Sequence, residues 1–169
     1  MNKDKEFLKE KLKDIIEKNN KYNLPIKVAC IGTDLSLYDT LGPLVGTMLL
    51  EKGVDESCIE GNLNNPLHRL RIEADDYDLD PSKYFIIAVD ACVLYEENDM
   101  YGFYDVKIDH SPIYPARGLG VICKPIGNIS IKVMVKEPSP ISALISDNRF
   151  RNIYSSAKLV VDVLYDFLK

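Results

Sequence analysis

The sequence predicts an α/β domain in three layers, with helices on both faces of a central, mostly parallel (mixed) sheet. Apolar runs at residues 26–31 and 84–89 read as buried strands, and the first passes through a loop into a helical pattern, which is half of a βαβ unit. Amphipathic helical patterns open and close the chain.

Residues 4–19 carry Phe7, Leu8, Leu12, Ile15 and Ile16 at helical spacing between charges, so the chain begins with an amphipathic helix. A polar break follows at 19–23, Pro25 precedes the first strand, and Gly32 opens the loop after it. Residues 41–52 read as the next helix, with Pro43 near its first turn, where a missing N–H costs nothing, and Gly53 as its stop. Residues 58–63 form a short second strand, and 66–74 a short helix carrying His68 and Arg69. Asp75, Asp76, Asp78 and Asp80 then make a solvated turn ending at Pro81. The run 84–89 is the clearest buried strand in the chain. Residues 103–108 alternate as an edge strand would, and 129–135 alternate Ile, Ile, Val and Val with polar residues, as a sheet with one covered face would. Residues 152–168 close the chain as a helix with Ala157, Val160, Val161, Leu164, Tyr165 and Leu168 on its apolar stripe. Without repeats, low-complexity tracts or linkers, a single domain over 1–169 is expected, its N-terminal helix ending by residue 23 and its α/β core spanning 24–169.

At 169 residues, 46% hydrophobic and 28% charged, the chain is long enough to bury a continuous core. A net charge of −5 and a pI near 5.1 give no electrostatic footprint for nucleic acid or an acidic membrane surface. No apolar segment approaches a membrane span, and residues 1–13 alternate Lys with Asp and Glu where a signal peptide would need an apolar core, so a cytosolic protein is expected. Cys30, Cys58, Cys92 and Cys123 never form a Cys-x-x-Cys pair, which suggests neither a zinc site nor a disulfide framework. Cys92 stands apart from the others, two residues past Asp90 at the same strand end.

Two aspartates carry the chemistry. Asp39 lies in Cys30-Ile31-Gly32-Thr33-Asp34-Leu35-Ser36-Leu37-Tyr38-Asp39-Thr40-Leu41-Gly42-Pro43 and Asp90 in Phe85-Ile86-Ile87-Ala88-Val89-Asp90-Ala91-Cys92, so each follows a buried strand. In an open α/β sheet sites form at the carboxyl ends of parallel strands, where two carboxylates can share a proton and activate water. Placement alone therefore points to a hydrolase. The loop from Gly32 to Asp39 has to bring a carboxylate back over the strand end, and Gly42 and Gly46, four apart on one helical face, let that helix approach the sheet closely. Asp39 then lies near the positive end of a helix, which favours its ionised form by about 0.3–1 kcal/mol, less than one pKa unit; a second carboxylate can do more. The competing reading makes Asp39 or Thr40 a helix N-cap and Asp90 a turn residue closing a strand. A phosphate loop is disfavoured, because Gly32 lacks the other glycines of G-x-G-x-x-G and the Gly-Lys-Thr of a P-loop.

The string Cys30-Ile31-Gly32-Thr33-Asp34, continued by Asp39-Thr40-Leu41-Gly42-Pro43-Leu44-Val45-Gly46-Thr47, resembles the opening motif of the YyaC-type spore protein family, to which a protease activity is ascribed. The resemblance continues through Gly61-Asn62-Leu63, Pro66-Leu67-His68, Ile86-Ile87-Ala88-Val89-Asp90-Ala91-Cys92, Ile126-Gly127-Asn128-Ile129-Ser130-Ile131 and Asp147-Asn148-Arg149-Phe150. That family is similar in turn to the germination protease of bacterial spores, which degrades small acid-soluble spore proteins and has the phosphorylase/hydrolase-like fold of the hydrogenase maturation endopeptidases. The germination protease has essential aspartates in an Asp-x-Leu-Gly-Pro and an Ile-Asp-Ala string, which match Asp39-Thr40-Leu41-Gly42-Pro43 and Val89-Asp90-Ala91.

The resemblance thus implies a peptidase of the forespore or spore core in which Asp39 and Asp90 activate water. The site would be lined by Gly32, Thr33, Asp34, Cys92, His110 and Gly118, and the substrate would be a protein or peptide such as a small acid-soluble spore protein. No cofactor is expected on that reading. Three departures bear on the substrate: Leu35-Ser36-Leu37-Tyr38 stands where the family has Arg-Ser-Thr-Gly, Pro115-Ala116-Arg117-Gly118-Leu119-Gly120-Val121 where it has a Pro-Gly-Ala-Gly-Val-like loop, and Gly127-Asn128 where a Gly-Asp follows. A second reading takes the maturation endopeptidases as guide: Asp39, Asp90 and His110 fall in the order of their nickel-recognising residues and would bind a divalent metal. A third is a non-catalytic sporulation protein that binds a partner in the same cleft. Apolar faces on the terminal helices would also support a homodimer.

Overall fold

The computed structural model describes residues 2–94, 102, 104–115, 123–136 and 149–169. Its elements run in the order α1 (Asn2–Asn19), β1 (Ile26–Cys30), α2 (Leu41–Glu51), a 3-10 turn (Glu56–Cys58), β2 (Ile59–Glu60), α3 (Arg69–Glu73), β3 (Phe85–Leu94), β4 (Val106–Asp109), β5 (Ile129–Lys136), α4 (Arg149–Leu164) and a closing 3-10 turn (Tyr165–Phe167). The five strands form one mixed sheet in the order β2-β1-β3-β5-β4, parallel throughout except for β4, which runs antiparallel to β5.

Helices α1, α2 and α4 cover one face. There Leu12, Ile15, Leu41, Val45, Leu49, Ile153, Val160 and Leu164 pack on Val28, Cys30, Phe85, Ile87 and Val89, whose side chains share that face because a strand alternates. The other face is covered, among the described residues, by short α3 and extended segments: Leu67, Ile72, Leu79, Ile113 and Ile126 pack on Ala29, Ile31, Ile86 and Ala88.

Alternation in β5 led to the expectation of a single covered face, yet Ser130 and Met134 are buried as fully as their neighbours. The expected edge strand at 103–108 is the four-residue β4, and Phe103 lies outside the described residues.

Sheet order places the topological switch between β1 and β3, since the chain leaves β1 for β2 on one side and returns to β3 on the other. Strand β3 does not end before Asp90, as the apolar run suggested, but continues to Leu94 because β5 pairs with it all the way, from Ile87 opposite Ile129 to Leu94 opposite Lys136. Strand β1 stops earlier, with Cys30 opposite Val89, so Asp90 is the first residue of β3 to rise above the end of β1.

Candidate active site

Asp39 is delivered by the loop after β1. The Thr33 N–H donates to the Asp39 carbonyl at 3.1 Å, folding the loop back over Gly32, whose φ of +140° and crowding by that carbonyl leave no room for a Cβ. Helix α2 then starts beneath it. A Cβ on Gly42 would collide with the Ile31 carbonyl and one on Gly46 with the Gly61 carbonyl, so both glycines allow the close helix-to-sheet approach that their spacing predicts. Thr40 occupies the N-cap position of α2 but does not cap it: its hydroxyl donates backwards to the Ser36 carbonyl at 2.8 Å. Among the described residues no hydrogen bond reaches the Asp39 carboxylate either, so neither residue behaves as the side-chain cap of the competing reading.

Asp90 lies on the face of β3 that carries Ile86 and Ala88, opposite Lys132 of β5. Its carboxylate accepts the Ala91 N–H at 2.8 Å. Asp39 and Asp90 line one cavity of about 350 Å³, together with Ile31, Gly32, Thr33, Leu35, His68, Arg69 and Leu70.

The electrostatics of the two carboxylates differ. Burial raises Asp39 above the ordinary 3.8 of an aspartate. Asp90 is pushed up to about 8, first by burial and then by the charge of Asp39, against the opposing pull of the Ala91 N–H and Lys132. Both carboxyl groups therefore hold a proton to higher pH than an exposed aspartate does, Asp90 the more strongly.

Of the other residues singled out in the sequence, Gly32 and Thr33 line the cavity and Asp34 is solvent-exposed beside it. Cys92 follows two residues along β3 and is not in the cavity wall. Gly118 lies outside the described residues. His110 is not brought to the pair. Because β4 is antiparallel, its last residue, Asp109, stands opposite Ser130 near the start of β5, so His110 emerges at the amino end of the parallel strands, where Nδ1 lies 3.1 Å from the Asn19 side chain. The triad Asp39, Asp90 and His110 is therefore not assembled. Among the described residues no three His, Cys, Asp or Glu side chains converge as a metal would require, so the donors present do not fit the metal-binding alternative.

His68, Arg69, Leu35 and Leu70 were not placed in the site by sequence. The segment Pro66-Leu67-His68 is drawn there by backbone pairing: Leu67 bridges to Ile31 in parallel, and the Gly32 N–H donates to the Leu67 carbonyl at 3.2 Å. His68 then caps α3, its Nδ1 accepting the Arg71 N–H at 3.4 Å. Arg69 is held through Nε to Glu73 at 2.7 Å, and Leu35 and Leu70, 91% and 67% exposed, make an apolar rim.

Residues 1–163 match the sequence family described as "Protein of unknown function (DUF1256)". The chain belongs to the DUF1256 family. This DUF1256 chain is also 32% identical over 113 residues to "Uncharacterized protein YyaC" of Bacillus subtilis (strain 168), a match covering 66% of this chain and 53% of that relative. The matched part of the DUF1256 chain thus spans about half the length of the relative.

Proposed function

We propose that the chain is a peptidase in which Asp39 and Asp90 activate water for attack on a peptide bond. The observation that carries the reading is one cavity lined by both aspartates, with Asp90 pushed up to about 8 by burial and by the charge of Asp39, and Asp39 raised by burial alone. That inequality supplies both roles that amide hydrolysis needs. Asp39, ionised, takes a proton from water as general base; Asp90, protonated, gives its proton to the departing nitrogen as general acid. The pair titrates as a unit, and its working state holds a single proton. No step passes through a metal.

The position at the switch between β1 and β3 supports the reading, as does the likeness of the two aspartate strings to those of the germination protease. That likeness makes a small acid-soluble spore protein the substrate to test and the spore core the compartment.

The experiment is digestion of a purified small acid-soluble spore protein by the parent chain and by Asp39→Asn and Asp90→Asn variants, each shown by circular dichroism to be folded. Cleavage by the parent alone supports the pair. An inert parent, or variants that cleave as well as the parent, overturns it, and retained binding of the spore protein by all three would then favour the partner-binding alternative.

A further inference from the structure

We propose that His68 donates a hydrogen bond from Nε2 to the carbonyl oxygen under attack, stabilising the negative charge that develops there. The proposal rests on the peptidase reading and adds the group that a carboxylate pair lacks. An ionised carboxylate cannot stabilise an oxyanion, and a protonated one whose proton is committed to the departing nitrogen cannot serve the carbonyl oxygen as well, so a further donor has to face the same cavity.

His68 meets that need through its backbone and its ring. Its backbone is fastened to the pair: Leu67, fully buried, bridges to Ile31, and Gly32 donates its N–H to the Leu67 carbonyl while its own missing side chain makes room for the Asp39 carbonyl. One glycine thus sets the spacing between the loop of Asp39 and the segment of His68. The ring is fixed by its cap. Nδ1 accepts the Arg71 N–H at 3.4 Å, so in the neutral imidazole the proton resides on Nε2, and among the described residues Nε2 has no partner. Capping alone does not call for an imidazole, since Ser, Thr, Asp or Asn serves at least as well at a helix N-cap. What His68 adds is a second nitrogen, on a residue that lines the cavity of Asp39 and Asp90. Of the other donors in the wall, Arg69 is tethered to Glu73 through Nε and the Thr33 hydroxyl accepts the Leu35 N–H at 3.3 Å; both keep further hydrogens, and His68 differs from them in offering a single N–H on a ring held by its cap.

The step balances. Water gives a proton to the Asp39 carboxylate as its oxygen bonds to the carbonyl carbon, and the π pair moves onto the carbonyl oxygen, where His68 Nε2–H meets it. When that pair returns, the C–N bond breaks and the nitrogen takes the proton of Asp90. Asp39 is left protonated and Asp90 ionised, so the pair still holds one proton.

The test uses His68→Ser, whose hydroxyl keeps the cap and cannot span the imidazole's reach, and His68→Asn as a second capping variant should the first fail to fold. With the small acid-soluble spore protein as substrate, kcat falls about 100-fold or more while KM changes less than about threefold, the signature of a donor felt in the transition state. In the parent, a long-range 1H–15N spectrum of the neutral ring finds the proton on Nε2. A folded variant that keeps kcat within about threefold, or a neutral ring protonated at Nδ1, overturns the proposal. If Asp39→Asn and Asp90→Asn are inert while His68→Ser is fully active, His68 alone is refuted; if the parent is inert as well, the pair reading fails and this proposal falls with it.

Discussion

The Asp39 carbonyl oxygen lies where a side chain on Gly32 would begin, and Gly32 at φ +140° accepts it only because it has none. A structural glycine thereby becomes the hinge that folds one carboxylate over the strand end beside the other. Gly32→Ala is expected to cost about 2 kcal/mol or more, from the forced φ together with displacement of the Asp39 loop, and to abolish cleavage even at temperatures where the variant is folded. Gly53→Ala is the control. Gly53 also has a positive φ, +85°, but nothing lies within 4 Å of its added Cβ, so thermal unfolding should show a loss of about 1 kcal/mol with activity intact. Equal effects from both would sever the link between Gly32 and the site.

Asp90 also sets a pH dependence of stability. Its folded-state value, pushed up to about 8, exceeds the ordinary 3.8, so between those limits the folded chain holds a proton that the unfolded chain has released. The stability this contributes is full below pH 4 and is lost as pH rises towards 8. Asn at position 90 cannot ionise. The difference in unfolding free energy between Asp90→Asn and the parent should therefore shift in the variant's favour by more than about 1.4 kcal/mol between pH 4 and pH 9, read from urea unfolding curves. A difference that stays flat with pH would show that Asp90 ionises freely in the folded chain.

Much of this arrangement is legible in the sequence. The apolar runs before Asp39 and Asp90, the position of Pro43 and the four-residue spacing of Gly42 and Gly46 are local features, and each is realised where it was expected. What escaped depends on pairing between distant segments. The end of β3 is decided by β5, which pairs through Leu94, so the polar character of Asp90 does not terminate the strand. His110 follows a strand in the sequence as Asp90 follows its apolar run, but β4 is reversed, and a residue after its carboxyl end emerges at the wrong end of the sheet. His68 is legible as part of the short segment at 66–74 but not as part of the site, because what carries it to the cavity is the bridge from Leu67 to Ile31, across a separation that no local pattern records.

Lys132 offers a way to move the activity profile without touching either aspartate. It stands opposite Asp90 in the sheet and lowers the Asp90 value from its higher intrinsic level. If Asp90 is the general acid, kcat/KM follows a bell whose alkaline limb marks loss of its proton near pH 8. Lys132→Met should move that limb to higher pH and leave the acid limb, set by Asp39, nearly in place. A shift to lower pH, or movement of both limbs together, would contradict the assignment of acid and base.

The rim makes a separate claim about what enters. Leu35 and Leu70 are among the most exposed large apolar side chains in the described residues, and both line the cavity whose floor holds the two aspartates. Since neither is buried in the free chain, replacing them should leave folding stability within about 0.5 kcal/mol. A peptide with an aliphatic or aromatic residue beside the scissile bond would cover them on binding, and covering much of one leucine is worth about 1.5 kcal/mol, roughly tenfold in affinity. Leu70→Ser and Leu35→Ser should accordingly raise KM about tenfold for such a peptide with kcat nearly unchanged, and have little effect on one carrying Gly at that position. Equal losses on both peptides would mean that the leucines do not contact that side chain, and a fall in kcat instead of a rise in KM would place their role in the chemical step.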